Sequence, residues 1–133
     1  MKKLLLLCVL LSVTACNPNY SHAVSQVELE SIFNEMCDHI ELNCEGIKIK
    51  YTNLAPHILG TAQLYNTGKM QVGINTAYQK EMVVRGIVAH EVSHLVVFTT
   101  SSEPHKNHHG SRFNTVCKKL TFRAKVSEAY CVR

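Results

Sequence analysis

Between Val88 and Val97 the chain reads VAHEVSHLVV, which sets His90, Glu91 and His94 into an otherwise largely apolar run. Burying an imidazole or a carboxylate without a partner is costly, roughly 2 kcal/mol or more per group. The apolar pattern, carried by Met82, Val83, Ile87, Val88, Leu95 and Val96, extends from Gln79 to about Phe98. That is longer than an ordinary strand, so it predicts a helix despite its β-branched residues. Residues four apart on a helix lie one above the other. His90 and His94 therefore share a stripe with Glu91 beside it, and the fold must supply something that compensates this stripe.

A metal ion does so. Two imidazoles one turn apart can aim at a single zinc ion about 2.0–2.1 Å away, leaving the intervening carboxylate free to handle protons. HExxH is the zincin signature for this reason. A catalytic zinc centre keeps three protein ligands and one open position, so a third ligand is required downstream. The candidates are Glu103, His105, His108, His109 and Glu128.

HEVSH is followed after fourteen residues by HGSRF, His109 to Phe113. The pair of motifs resembles the SprT-like metallopeptidase family, whose members show HExxH, a loop, then His-Gly-x-x-Phe opening the next helix. The resemblance implies Zn²⁺ held by His90, His94 and His109, Glu91 as general base, Phe113 packing the following helix, and a peptide or protein substrate. It spans about Ile47 to Leu120, with LGTAQ and MQVGIN as the family's sheet, and outside the two motifs it is a matter of pattern. Nothing in the chain resembles the cysteine zinc ribbon or DNA-binding extensions of many members, so their DNA-linked roles do not transfer. Similarity to M48-like gluzincins would instead make Glu128 the third ligand. The metzincin spacing after His94 is absent. His105 and His108 read as solvated loop histidines, and His108 and Tyr130 are candidates to stabilise an oxyanion.

Elsewhere, Leu29, Ile32, Phe33, Met36, Cys37 and Ile40, together with Val27, recur at helical spacing from Ser25 to about Asn43, with Ser25 and Glu28 as a capping box. Ile47, Ile49 and Tyr51 alternate with lysines as in a half-buried strand. His57 to Tyr65 and Lys69 to Asn75 flank Asn66-Thr67-Gly68, a hairpin turn with glycine free to take positive φ. The expected fold is α+β and zincin-like: an N-terminal helix, a small three-stranded antiparallel sheet, the HExxH helix, and a C-terminal helix beginning near Gly110. Gly60 to Leu64 or Met70 to Ile74 is the expected exposed edge along which substrate would lie.

The N-terminus reads as an address. Lys2 and Lys3, the apolar Leu4–Leu11 and the small residues before Cys16 form a secretory signal over residues 1–15. It is too short to span a bilayer, and no other stretch qualifies as a span. VTAC, Val13 to Cys16, resembles the lipobox of bacterial lipoproteins, which implies cleavage before Cys16 and lipid on that cysteine. Residues 16–24 are then a lipidated tether and 25–133 the domain. Asn17 fits sorting to the outer membrane, on its periplasmic face. Cys37, Cys44, Cys117 and Cys131 remain, an even number in an oxidising compartment. Three pairings are open, and the local one, Cys37 with Cys44 and Cys117 with Cys131, is favoured.

Removing Lys2 and Lys3 from the 14 Lys and Arg leaves 12 against 10 acidic residues, too even a balance to name an electrostatic partner. The C-terminal basic cluster lacks the aromatic interleaving of a nucleic-acid surface, and no nucleic-acid partner is expected. Two other readings stand beside the peptidase: a noncatalytic zinc-containing binding module, and a metal-storing lipoprotein suggested by eight histidines.

Overall fold

The computed structural model describes residues 22–104, 106 and 108–132. The signal segment, Cys16, most of the tether and His105 lie outside the described residues. Helix α1 spans Gln26–His39. Its capping box forms as expected: Glu28 N–H donates to Ser25 Oγ at 3.2 Å, and Ser25 N–H donates to Glu28 Oε2 at 2.7 Å. Leu29, Ile32, Phe33, Met36 and Cys37 face the core, whereas Val27, read from the sequence as part of that stripe, is 76% exposed. The helix stops short of Asn43. Glu41 takes positive φ, Leu42 N–H turns back to the Cys37 carbonyl, and the Cys37–Cys44 disulfide closes the turn.

Three strands follow, β1 (Lys48–Thr52), β2 (Gly60–Leu64) and β3 (Met70–Asn75), in the spatial order β1-β3-β2. β2 and β3 form the expected antiparallel hairpin, with Gly68 at φ 83° in its turn. The sheet is mixed rather than wholly antiparallel, because β1 pairs parallel to β3, Lys48 opposite Gln71. Side-chain alternation reports which face a residue takes but carries no strand polarity. Only the two-strand turn fixed a direction in the sequence. β3 is the central strand, buried from Val72 to Asn75, so Met70 to Ile74 is not an edge and the hairpin edge is β2.

Asn75 ends β3 almost fully buried. Its amide nitrogen donates to the carbonyls of Leu54, Ala55 and Ile58, and its oxygen accepts from Ala77 N–H. Both ends of its amide are thereby engaged in knitting the loop that delivers β2.

Helix α2 (Glu81–Thr100) runs through the centre, covered by α1, the sheet and a third helix, α3 (Ser111–Ala124). By length and composition α2 passes as a membrane span, contrary to the sequence reading, but more than half of it is buried inside the fold, as in a core helix. One core cluster unites α1, the sheet and α2. A second joins Val97 and Phe113 to the buried Cys117–Cys131 disulfide, which ties α3 to a closing 3-10 helix, Glu128–Cys131. Both disulfides are the local ones.

Candidate metal centre

His90 and His94 project from successive turns of α2, and His109 arrives from the loop just before Gly110, the N-cap of α3. His90 Nε2 lies 3.2 Å from the Nε2 of both His94 and His109, and one ligand atom from each histidine falls within 4.8 Å of the others. Imidazoles held 2.0–2.1 Å from one ion in tetrahedral array stand roughly 3.3 Å apart, so the observed convergence has the spacing of a metal site.

The donors fit a metal chemically as well. Burial, then the neighbouring His90, His109 and His108, pushes His94 down to about 3, and burial and His108 lower His109. Neutral imidazoles offer lone pairs suited to Zn, Cu, Fe or Ni. Nitrogen lone pairs aimed at one point repel unless a proton or a metal cation lies between them. Buried His94 Nδ1 has no hydrogen-bond partner among the described residues, so His94 is engaged through Nε2, the nitrogen that faces His90. These three histidines could therefore hold a metal ion.

Phe113 is the hub of the arrangement. Fully buried, it places its ring centroid 4.8 Å from that of His90, 4.6 Å from that of His94 and 4.8 Å from that of His109. The phenylalanine of HGSRF thus packs the three histidine rings as well as its own helix.

Glu91 points instead toward β2. A Cβ added at Gly60 would come within 2.8 Å of Glu91 Oε1 and 2.7 Å of Ile87, so only glycine lets this strand approach the carboxylate so closely. Burial pushes the Glu91 carboxyl up to about 8. Between β2 and α2 lies an open cleft of about 620 Å³ lined by Ile58, Ala62, Glu91, the three histidines and Tyr130.

The other candidates stand apart. Glu128 is exposed, with its carboxylate 3.5 Å from Lys118, and Glu103 pairs with Lys106 at 2.9 Å. His108 is exposed at the cleft, its ring 6.1 Å from that of His94. Three contacts escape the sequence reading: Gly60 beside Glu91, Gly86 on α2 beside the Tyr130 ring, and the main chain of Tyr130 beside His90. A glycine inside an otherwise apolar helix was the available signal for Gly86.

The Tyr130 carbonyl accepts a hydrogen bond from His90 Nδ1, which leaves Nε2 to face His94 and His109. No curated protein matches the sequence. Residues 28–131 match the model of the SprT-like family, and on a match over most of its length the chain belongs to that family.

Proposed function

We propose that the protein is a zinc-dependent peptidase of the cell envelope. The observation that carries this reading is the convergence of three histidine nitrogens beside a buried glutamate in a cleft edged by a free strand. His90, His94 and His109 are the residues that would hold Zn²⁺. When bound, zinc supplies Lewis acidity, acidifying water and polarising a carbonyl oxygen.

Glu91 takes the proton of the attacking water and hands it to the leaving amine, which requires its ionised form. A nearby cation favours that form, opposing the burial that raises the free carboxyl. β2 receives the substrate as an added extended strand, reading backbone rather than side chains. Ile58 and Ala62 give the cleft floor an apolar character. His108 and Tyr130, both of which line the cleft, are our candidates to steady the developing oxyanion.

For its location we follow the sequence: signal removal after residue 15, lipid on Cys16, a tether to residue 24 and a domain facing the periplasm from the outer membrane. Two paired disulfides suit an oxidising compartment. Incorporation of labelled fatty acid that survives in Cys16→Ala would refute the anchor.

The deciding experiment measures zinc content and cleavage of unfolded casein in wild type, Glu91→Gln and His109→Ala. We expect one zinc per chain, turnover about 10²–10⁴-fold lower in Glu91→Gln with metal retained, and metal weakened in His109→Ala. Stoichiometric zinc without cleavage favours the noncatalytic binding module. Absence of zinc rejects the reading.

A further inference from the structure

His90 is steered from outside the cleft. Its Nδ1–H donates to a main-chain carbonyl, that of Tyr130, in the 3-10 helix at the end of the chain. A neutral imidazole whose Nδ1 donates must carry its lone pair on Nε2, the nitrogen that meets His94 and His109. Three separate features hold that carbonyl. The 3-10 helix is capped by Ser127, whose Oγ accepts from Ala129 N–H while its carbonyl accepts from Tyr130 N–H. Cys131, the next residue, is buried and bonded to Cys117 in the middle of α3. The Tyr130 ring packs against Gly86, one turn before His90 on α2, where an added Cβ would fall 2.4 Å from two ring carbons.

Taking the zinc reading as given, we propose that the Tyr130 carbonyl, held by the Cys117–Cys131 disulfide and the Gly86 notch, is a positioning group that fixes the tautomer and aim of His90 for the metal. The disulfide is then a component of the metal centre although neither sulfur reaches it. Gly86 acquires a reason as well. Glycine in a helix interior is disfavoured by about 1 kcal/mol relative to alanine, yet the three nearest atoms to a Cβ there all belong to the Tyr130 ring.

The Cys37–Cys44 disulfide serves as the internal control. It closes the turn at the end of α1 and lies in neither α3 nor the 3-10 helix.

The test is zinc affinity, by competition with a chromophoric chelator, on the full chain in detergent, with helix content and metal-free melting recorded for each protein. Cys117→Ser/Cys131→Ser and Gly86→Ala should each weaken zinc about 10- to 100-fold, the range for lost outer-shell partners. Cys37→Ser/Cys44→Ser should melt earlier yet keep wild-type affinity. Tyr130→Phe, which retains ring and carbonyl, should also keep it. In Co²⁺-loaded Gly86→Ala the visible absorption should shift, since the ligand geometry changes.

If folded Gly86→Ala binds zinc as tightly as wild type, the proposal falls, and Gly86→Ala decides the matter even if the Cys117/Cys131 variant does not fold. Equal losses of affinity in the two disulfide variants overturn it too, because affinity would then follow general stability. Failure of the zinc centre itself looks different: wild type would not bind stoichiometrically.

Discussion

The two disulfides are alike in chemistry and unlike in what they hold. Cys37 and Cys44 are 7 residues apart and Cys117 and Cys131 are 14 apart. Loop-closure entropy assigns them nearly equal stabilisation, about 2.5 and about 3 kcal/mol. Stability therefore does not distinguish them, but connection does. The first closes the turn after a scaffold helix packed on the sheet. The second locks the segment whose carbonyl meets His90, beside Phe113. On the proposal above, the molecule divides into a scaffold of α1 and β1, where a perturbation costs stability, and a frame of α3 and the 3-10 helix, where it also reaches the candidate metal site.

A pair of phenylalanines tests that division with the largest effect. Phe33 on α1 and Phe113 on α3 are both buried, and truncation of either to alanine should cost about 3–5 kcal/mol. Phe113→Ala removes the ring against which all three imidazoles rest, so its zinc affinity should fall as well. Phe33→Ala should bind zinc as wild type does once folded. Denaturant melts of the metal-free proteins and chelator competition check both statements. Equal affinity in the two variants would erase the boundary between scaffold and frame.

The two regions also differ in how well the sequence reveals them. The stripe of α1, its capping box, the hairpin turn and the HExxH helix are local patterns, and the structure reproduces them within a few residues at their ends. His109 and Phe113 were legible only through the resemblance carried by HGSRF, since five downstream residues could serve as a third ligand. What stayed hidden is main-chain or through-space. The direction of β1 depends on a partner 23 residues away. The Tyr130 carbonyl has no side-chain signature, and it meets His90 across 40 residues. Gly60 and Gly86 reveal their purpose only when Glu91 and the Tyr130 ring are seen against them.

An intermediate effect comes from pH acting on the metal-free frame. Burial raises the Glu91 carboxyl in the folded state to about 8, from an ordinary value near 4.5. The folded form thus holds a proton that the unfolded chain releases. Its contribution is fully present below about pH 4.5 and lost as pH rises toward 8. His94, lowered to about 3, acts in the opposite direction: stability declines as pH falls from about 6.5 toward 3, because the unfolded chain takes up the proton first. Between pH 4.5 and 7, Glu91 should account for a loss on the order of 2–3 kcal/mol. Glu91→Gln should remove that slope in metal-free melts while leaving the acid limb. Superimposable pH profiles would mean that Glu91 is not desolvated in the folded protein.

The smallest effect isolates the scaffold. Ser25 Oγ caps α1 by accepting from Glu28 N–H, and Glu28 returns the contact to Ser25 N–H. Ser25→Ala should lower stability by about 1 kcal/mol, the usual worth of an N-cap. Glu28 is held below the ordinary carboxylate range first by its bond to the Ser25 backbone, which the substitution does not remove. Because α1 belongs to the scaffold, zinc affinity should not change. A change would mean that even a small loss at the start of the fold is felt at the metal. The Cys117–Cys131 clamp would then be one stabilising contact among many, with no privileged connection to His90.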